Sequence, residues 1–405
     1  MPVELPELDP PGAEPKAPHP IVWMILFVVV MVVGVAMALL TWPNGEPTDT
    51  VWFWVRLLGL PALTWCAMFG LRLHYYDQAC QRRQAEREVR ADDREKRLRF
   101  AREPLAVLEY AYLTAPGRAD VARKIAGSEL ALSARTTLAG VAAIRHTALE
   151  LTEDPEAPGR YRTCFNALLD KLSDAVTAVP NEVPLIVRLQ LPDDVDRKDL
   201  LQTWQSCWAA KNVRPVSAEL LGVEQGAMFL DEWLDICGGP ALERATLLVS
   251  VQLHDEPTPS SAEAAVGMLL AWAPLAERYG LETRALLHRP VETDASGPDT
   301  ALSNALLWGE TTANEIGDLW QAGLSTTDKR ALLQAASDMK LGISQTAGLS
   351  GVHDVDLAIG HPGVCGGWLD IAFGIEHAVH TGTPQLMAWH EQTLRFAVAR
   401  VPRTN

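Results

Sequence analysis

The groups of this chain best suited to covalent or metal chemistry are its six cysteines and ten histidines. The cysteines stand isolated at 66, 80, 164, 207, 237 and 365. None forms a C-x-x-C pair, so zinc-ribbon and dithiol chemistry are unsupported. A nucleophilic cysteine works as its thiolate, which a helix N-terminus favours. Cys207 lies inside an expected helix, between Ser206 and Trp208. Cys237 precedes Gly238-Gly239 at an expected helix end, the wrong electrostatic end for an anion. Cys365 reads as a small buried residue. Among the histidines, His353 with Asp354 and Asp356, near His361, offers ligand atoms, but loop charges of this kind are usually solvated. His377 and His380 lie three apart on an expected helix, a spacing that suits a ligand pair or an amphipathic helix edge equally. No metal and no cofactor is assigned from these patterns. Ser250, Ser260 and Ser261 lack the G-x-S-x-G context of a hydrolase nucleophile. Of thirteen tryptophans, Trp320, Trp368 and Trp389 could contribute to a binding surface, although core packing is the commoner role.

These residues are carried by a chain that divides sharply by composition. Two apolar runs occupy residues 21–73. The first, Ile21 to Trp42, carries no charge and at about 1.5 Å per residue is long enough for a hydrocarbon core of about 30 Å. It is too long and uniform for a signal peptide and lacks a basic n-region. The second, Val51 to Leu73, carries Arg56 near its start, where a long side chain can snorkel. The eight residues between them suffice only for a turn, so a transmembrane hairpin is expected. The turn holds Glu46 and Asp49 and no Lys or Arg, whereas Arg72 to Glu103 holds ten Lys plus Arg. The positive-inside rule therefore puts both termini in the cytoplasm.

Residues 1–20 are Pro-rich and acidic and read as a disordered tail. Residues 74–103 read as a charged helical stalk, a solvated continuation of the second span; seven acids offset its nine bases. Ala- and Leu-rich spacing makes 104–179 a mostly helical connector, with breaks at Pro116-Gly117 and Glu153 to Gly159. The net charge of −16 argues against nucleic acid as a main partner. Scattered cysteines suit a reducing compartment.

From Pro180 onward apolar runs and helical patterns alternate. Strands are expected at Pro184–Leu191, Ala245–Leu253, Ser261–Trp272, Thr283–Glu292, Val355–Gly360 and in two final runs, PQLMAWHEQ and LRFAVARV. Helices are expected at Asp196–Asn212 with an Asp cap, Gly226–Ile236, Asp299–Trp320, Thr326–Lys340 and Gly366–His380. That alternation is the signature of a layered α/β fold with a buried sheet.

The order of these elements resembles the thiolase and β-ketoacyl-synthase superfamily. SAEAAVGMLLAW (261–272) is similar to its Gly/Ala-rich strand, and LLHRPVE (286–292) to the strand opening its second half. IGHPGVCGGWLDIAFGIEHAV (359–379) resembles its Gly-His turn, small-residue tract and buried helix. The likeness covers about 220 residues, from Pro180 to the C-terminus. It implies a thiolase-like α/β/α domain at 180–405 and a possible homodimer through that domain. His361 matches the Gly-His histidine. A second family histidine is expected within Leu306–Asp318, which contains none. No Cys-Ser-Ser or Cys-Ala-Ser-Gly motif occurs. The resemblance thus implies a fold kept and a chemistry lost. It points to a non-catalytic adaptor of a bacterial inner membrane, similar to those accompanying type VI secretion effectors, with a protein partner such as an effector or carrier. An alternative is a membrane-bound acyl-condensing or acyl-transfer enzyme, with Cys207 or Cys237 as nucleophile and His361 as partner. A further alternative is an immunity protein, although an eight-residue turn offers little recognition surface.

Overall fold

Pro20–Leu40 folds as helix α1 because nothing in that run interrupts it: no charge, no internal proline. The computed structural model describes residues 3–9, 14–43, 45–132, 134–136, 143–151, 159–211, 213–222, 224–256, 258–293 and 297–402. They form two units, Glu4–Leu98 and one built from Arg99 onward. The tail expected at 1–20 and the break expected at 153–159 lie partly outside the described residues.

In the first unit α1 pairs with α2, a continuous helix over Val51–Arg102. One π turn interrupts α2 at Val55–Gly59. Pro61 follows it and has no N–H to return to the preceding turn, a common origin of such irregularities. Gly34 of α1 receives the Pro61 ring. Trp65 Nε1 donates to the Trp23 carbonyl at 3.0 Å, and Trp23 and Phe27 meet Phe69 and Trp65 edge to face. Both helices are long and apolar enough to cross a membrane. Their outer faces stay uncovered: Leu40 is 85%, Val51 81% and Leu71 71% exposed.

The second unit is built on an eleven-stranded sheet. Its first half supplies β1 (Leu105–Thr114), β2 (Leu185–Gln190), β3 (Ala218–Leu220), β4 (Ala245–Gln252) and β5 (Ala264–Trp272). Its second half supplies β6 (Ala285–Leu287), β7 (Asp318–Ala322), β8 (Val352–Asp354), β9 (Gln385–His390) and β10 (Leu394–Arg400). The short pair partner Val291–Glu292 adds to β10. The spatial order is β3-β2-β4-β5-β1 in the first half and β8-β7-β9-β10-β6 in the second. Within each half that is third, second, fourth, fifth, first. The pairing senses repeat as well: the third, second and fourth strands are parallel, the fifth antiparallel. The halves are thus two copies of one topology, joined edge to edge where β6 pairs antiparallel with β1.

Apolar side chains alternate across the sheet into two cores. On β5, Ala264, Val266, Met268 and Leu270 enter one core, Ala265, Leu269 and Ala271 the other. A bulge between Val107 and Glu109 switches the parity of β1, so Leu105 and Tyr112 share a face. Helices α4 (Arg160–Ala178) and α5 (Arg197–Ala210) cover one face, with Phe165, Trp204 and Cys207 in that core. Helices α3 (Val121–Ala126), α6 (Phe229–Leu234) and α11 (Gly366–Thr381) lie on the other. The remaining helices are α7 (Ala273–Arg278), α8 (Pro298–Trp308), α9 (Thr326–Asp338) and α10 (Val355–Ile359). Helix α11 has eleven buried residues and is apolar on nearly every side, as a helix enclosed by protein must be.

Several expectations are met at their starting signals. Asp196 caps α5, accepting from Lys198 and Asp199 N–H at 3.0 and 3.1 Å. Ser325 and Asp328 form a reciprocal capping box on α9. Three expectations are corrected. The stretch 104–179 is not a connector to the body but part of it: besides helices α3 and α4 it contributes β1, a ten-residue strand paired with β5 and β6 at the join between the halves. The helix expected over Asp299–Trp320 stops at Trp308; Gly309 packs so tightly that a Cβ there would lie 2.7 Å from Val398 Cβ, and Glu310 turns left-handed at φ 49°. The strand then begins at Asp318. Val355–Gly360 is not a strand but helix α10, because Asp354 caps it through the Leu357 N–H at 3.0 Å.

Candidate functional site

The loop between α10 and α11 is pinned into the sheet by backbone bonds. His361 N–H donates to the Ser260 carbonyl, and Ala262 N–H to the His361 carbonyl, both at 2.8 Å. Gly360 sits at φ 97°, where a Cβ would lie 2.6 Å from the Ser261 carbonyl oxygen. Only glycine accommodates both constraints. The held loop presents the His361 imidazole half-exposed, with Nδ1 3.4 Å from Asp356 Oδ1. The other Asp356 oxygen accepts the Gly323 N–H at 2.7 Å. The bond to Asp356 raises the proton affinity of His361, against the opposing effect of burial.

Gly323 follows β7 at φ 69°, and a Cβ on it would stand 3.4 Å from His361 Cε1. The place beside His361 therefore belongs to Gly323. The segment Leu306–Asp318, where a second family histidine was expected, forms instead the end of α8, a 3-10 turn and the start of β7.

Two helix starts converge close by. The 3-10 turn Gly226–Met228 leads into α6, and α11 starts at Gly366. The Glu391 carboxyl, from the β9–β10 turn, lies against Gly226 and Gly367, leaving no room for a Cβ on either. Trp389 packs on Gly367 from the same side. Glu391 pairs with Arg395, which is itself buried. Burial pushes the Glu391 carboxyl up to about 7, against the stabilising Arg395 charge and the Ala227 backbone N–H. The group facing these helix starts is thus a carboxylate belonging to the chain.

No cysteine stands where it would serve as nucleophile with His361. Cys207 is buried in the α4–α5 core, on the opposite face from α11, and burial raises its thiol. Cys237 is exposed, beyond the C-terminal end of α6. Cys365 occupies the N-cap position of α11 but is fully buried, with Sγ 3.3 Å from Ser250 Oγ and 3.5 Å from the Ala264 carbonyl. Burial pushes its thiol up to about 12, so the helix dipole does not prevail. Trp320, Trp368 and Trp389 are fully buried, which removes them from any surface.

The histidines outside this loop group differently from their sequence spacing. His377 does not pair with His380; it turns inward to Asp318 and His353. His353 is buried rather than solvated, 2.8 Å from Asp318 Oδ1. Asp354 instead holds Lys329 and Gln321. Asp318 carried no sequence signal: it lies 35 residues from His353 and was placed inside an expected helix.

Compared with solved structures, the chain is similar to the ketosynthase from module 1 of the bacillaene synthase of Bacillus amyloliquefaciens FZB42. The TM-score is 0.55 at 12% identity, covering 75% of this chain and 77% of that one. It is similar also to a β-ketoacyl synthase from Burkholderia phymatum STM815, with a TM-score of 0.51 at 12% identity over 74% and 100% of the two chains. The ishigamide ketosynthase/chain length factor gives 0.50 at 15% identity, over 74% and 100%. At such identities the likeness is one of fold: the body of this protein has the thiolase/ketosynthase fold. The likeness spans about three quarters of the chain, more than the stretch from Pro180. No family model and no curated relative matches the sequence.

Proposed function

We propose that this protein is a membrane-tethered scaffold with a thiolase-type body that does not catalyse condensation and instead holds a protein partner. One observation carries the reading: where His361 and two helix starts converge stand Gly226, Gly323 and Glu391, and the thiol at the α11 start, Cys365, is buried against Ser250 and the Ala264 carbonyl. A thioester-forming enzyme needs a thiolate beside its acid–base groups. A resident carboxylate paired with a buried arginine disfavours a second anion in the same space. The bare apolar faces of α1 and α2 support the tether, since exposed patches of this size need lipid or protein to cover them. On the charge asymmetry of the flanks, the body lies on the cytoplasmic side of a bacterial inner membrane. The partner class suggested by the sequence resemblance is a secretion effector, with type VI secretion the setting, and a homodimer through the body is the assembly to look for.

The test is affinity purification of the detergent-solubilised protein, with mass spectrometry of co-purifying chains and of its own cysteines. The expected result is a stoichiometric protein partner and six unmodified thiols. The competing acyl-transfer reading keeps one relevant group, His361 with its Asp356 partner. An acyl thioester on any cysteine, lost on replacing that cysteine by alanine together with function, would establish it and overturn the scaffold.

A further inference from the structure

Asp318 opens β7, His353 lies at the centre of β8, and His377 stands in the last turns of α11. Three separate elements deliver these side chains to one point. His353 Nε2 is 2.8 Å and His377 Nε2 3.7 Å from Asp318 Oδ1, and the three donor atoms all lie within 4.8 Å of one another. We propose that they form a binding site for a divalent transition-metal ion, Zn²⁺ by its donor set.

The spacing fits the ion. With Zn–N and Zn–O bonds of about 2.0–2.1 Å, neighbouring corners of a tetrahedron are about 3.3 Å apart. The observed separations bracket that value, so an ion enters by spreading one hydrogen bond and tightening one gap. Two imidazoles and a carboxylate, without thiolate, suit zinc and its transition-metal neighbours; calcium and magnesium want an all-oxygen shell.

The rings are also held in place. Trp320 packs against both imidazoles, with centroids 4.5 Å from His353 and 5.4 Å from His377. Its own Nε1–H is fixed on Gln385 Oε1 at 3.0 Å. Parallel register sets Trp320 opposite His353. Nδ1 of His377 is buried and makes no hydrogen bond, so no second contact commits the proton to Nε2. The cluster borders solvent: His377 also lines a cleft with Tyr110, Asp120, Arg123 and His380. Glu376, in that cleft, is not a free ligand; it accepts from Tyr112 Oη at 2.7 Å and from Ala122 and Asp120 N–H at 2.8 and 3.0 Å. Three protein ligands and one open corner describe a zinc centre able to hold water or an external donor. The site lies at the opposite end of β7 from Gly323 and His361, about 15 Å away for five residues at about 3.3 Å each. It is therefore independent of the converging helix starts.

The test uses the full-length protein in detergent, purified through a tag without histidine and stripped with a chelator. Co²⁺ is titrated while its visible d–d absorption is followed, and Zn²⁺ uptake is measured by equilibrium dialysis with elemental analysis. The expected result is one equivalent per chain, a tetrahedral cobalt spectrum, displacement by Zn²⁺ and none by Mg²⁺ or Ca²⁺. Asp318→Asn and His377→Ala should each weaken binding by at least about 100-fold. His380→Ala and Cys237→Ser should leave it unchanged. Absence of saturable cobalt binding by the wild-type protein would overturn the site without recourse to any variant. Equal affinity in a folded Asp318→Asn protein would do so too, reducing the cluster to a hydrogen-bonded trio.

Discussion

Asp370 is fully buried on α11. Burial, reinforced by the nearby charges of Asp356 and Asp354, raises its carboxyl well above the usual range. The sign of the consequence follows from linkage. A carboxyl with a raised folded-state pKa keeps its proton in the folded protein after the unfolded chain has lost it. Its stability cost is therefore absent below about pH 4 and grows as pH rises through the folded value. Asp370→Asn should match the wild-type melting temperature near pH 4 and exceed it increasingly toward neutrality; a constant offset across that range would refute the assignment. Glu391 makes the opposite case, because its partner is also buried. Glu391→Ala leaves Arg395 with Glu292, 3.9 Å away, as its acidic partner among the described residues, and should destabilise the body by about 3 kcal/mol, the lower end for a broken buried pair. Denaturant unfolding of the body measures it. At this scale the sequence was a poor guide. His361 was legible from its Gly-His turn, whereas Glu391, Gly323 and Asp318 were silent, because the glycines and histidines that give each its place lie tens to hundreds of positions away.

Elements were easier to read where one local signal dominated. An uninterrupted apolar run gave α1, short runs rich in apolar residues gave the almost wholly buried β9 and β10, and an aspartate before a periodic run gave α5. Misreadings fell where tertiary packing overrode local pattern. Gly309 ends α8 because Val398 leaves no room for a side chain, and β1 is a strand because β5 and β6 flank it. Close packing at glycine also makes two predictions. Gly367→Val would press Cβ to 2.6 Å from Trp389 Cδ1, so an overpacking loss of about 1–3 kcal/mol is expected, read as a lowered melting temperature. Gly34→Leu would push the Pro61 ring off α1. Cysteines placed across that contact should then cross-link less readily, while the body's melting transition stays unchanged.

The whole molecule joins a helical hairpin with bare apolar faces to a body made of two copies of one five-strand topology. On the orientation proposed here, the exposed Cys237 reports the side on which the body lies. A membrane-impermeant thiol reagent should label it in inverted vesicles and not in intact spheroplasts; the reverse pattern would invert the topology. Sequence alone determined the length of the two apolar runs, the charge asymmetry of their flanks and the alternation of strands and helices. These properties are local: they need only a period, a cap or a run. It also showed, through missing motifs, that a cysteine nucleophile lacked its usual context. Tertiary structure alone decided that the fold begins at β1, that a carboxylate faces the two helix starts beside His361, and that Asp318, His353 and His377 meet. The physical reason is the same in each case. Strand pairing and helix packing bring together side chains that share no period and no neighbourhood in the chain, and the chemistry of a site depends on that proximity.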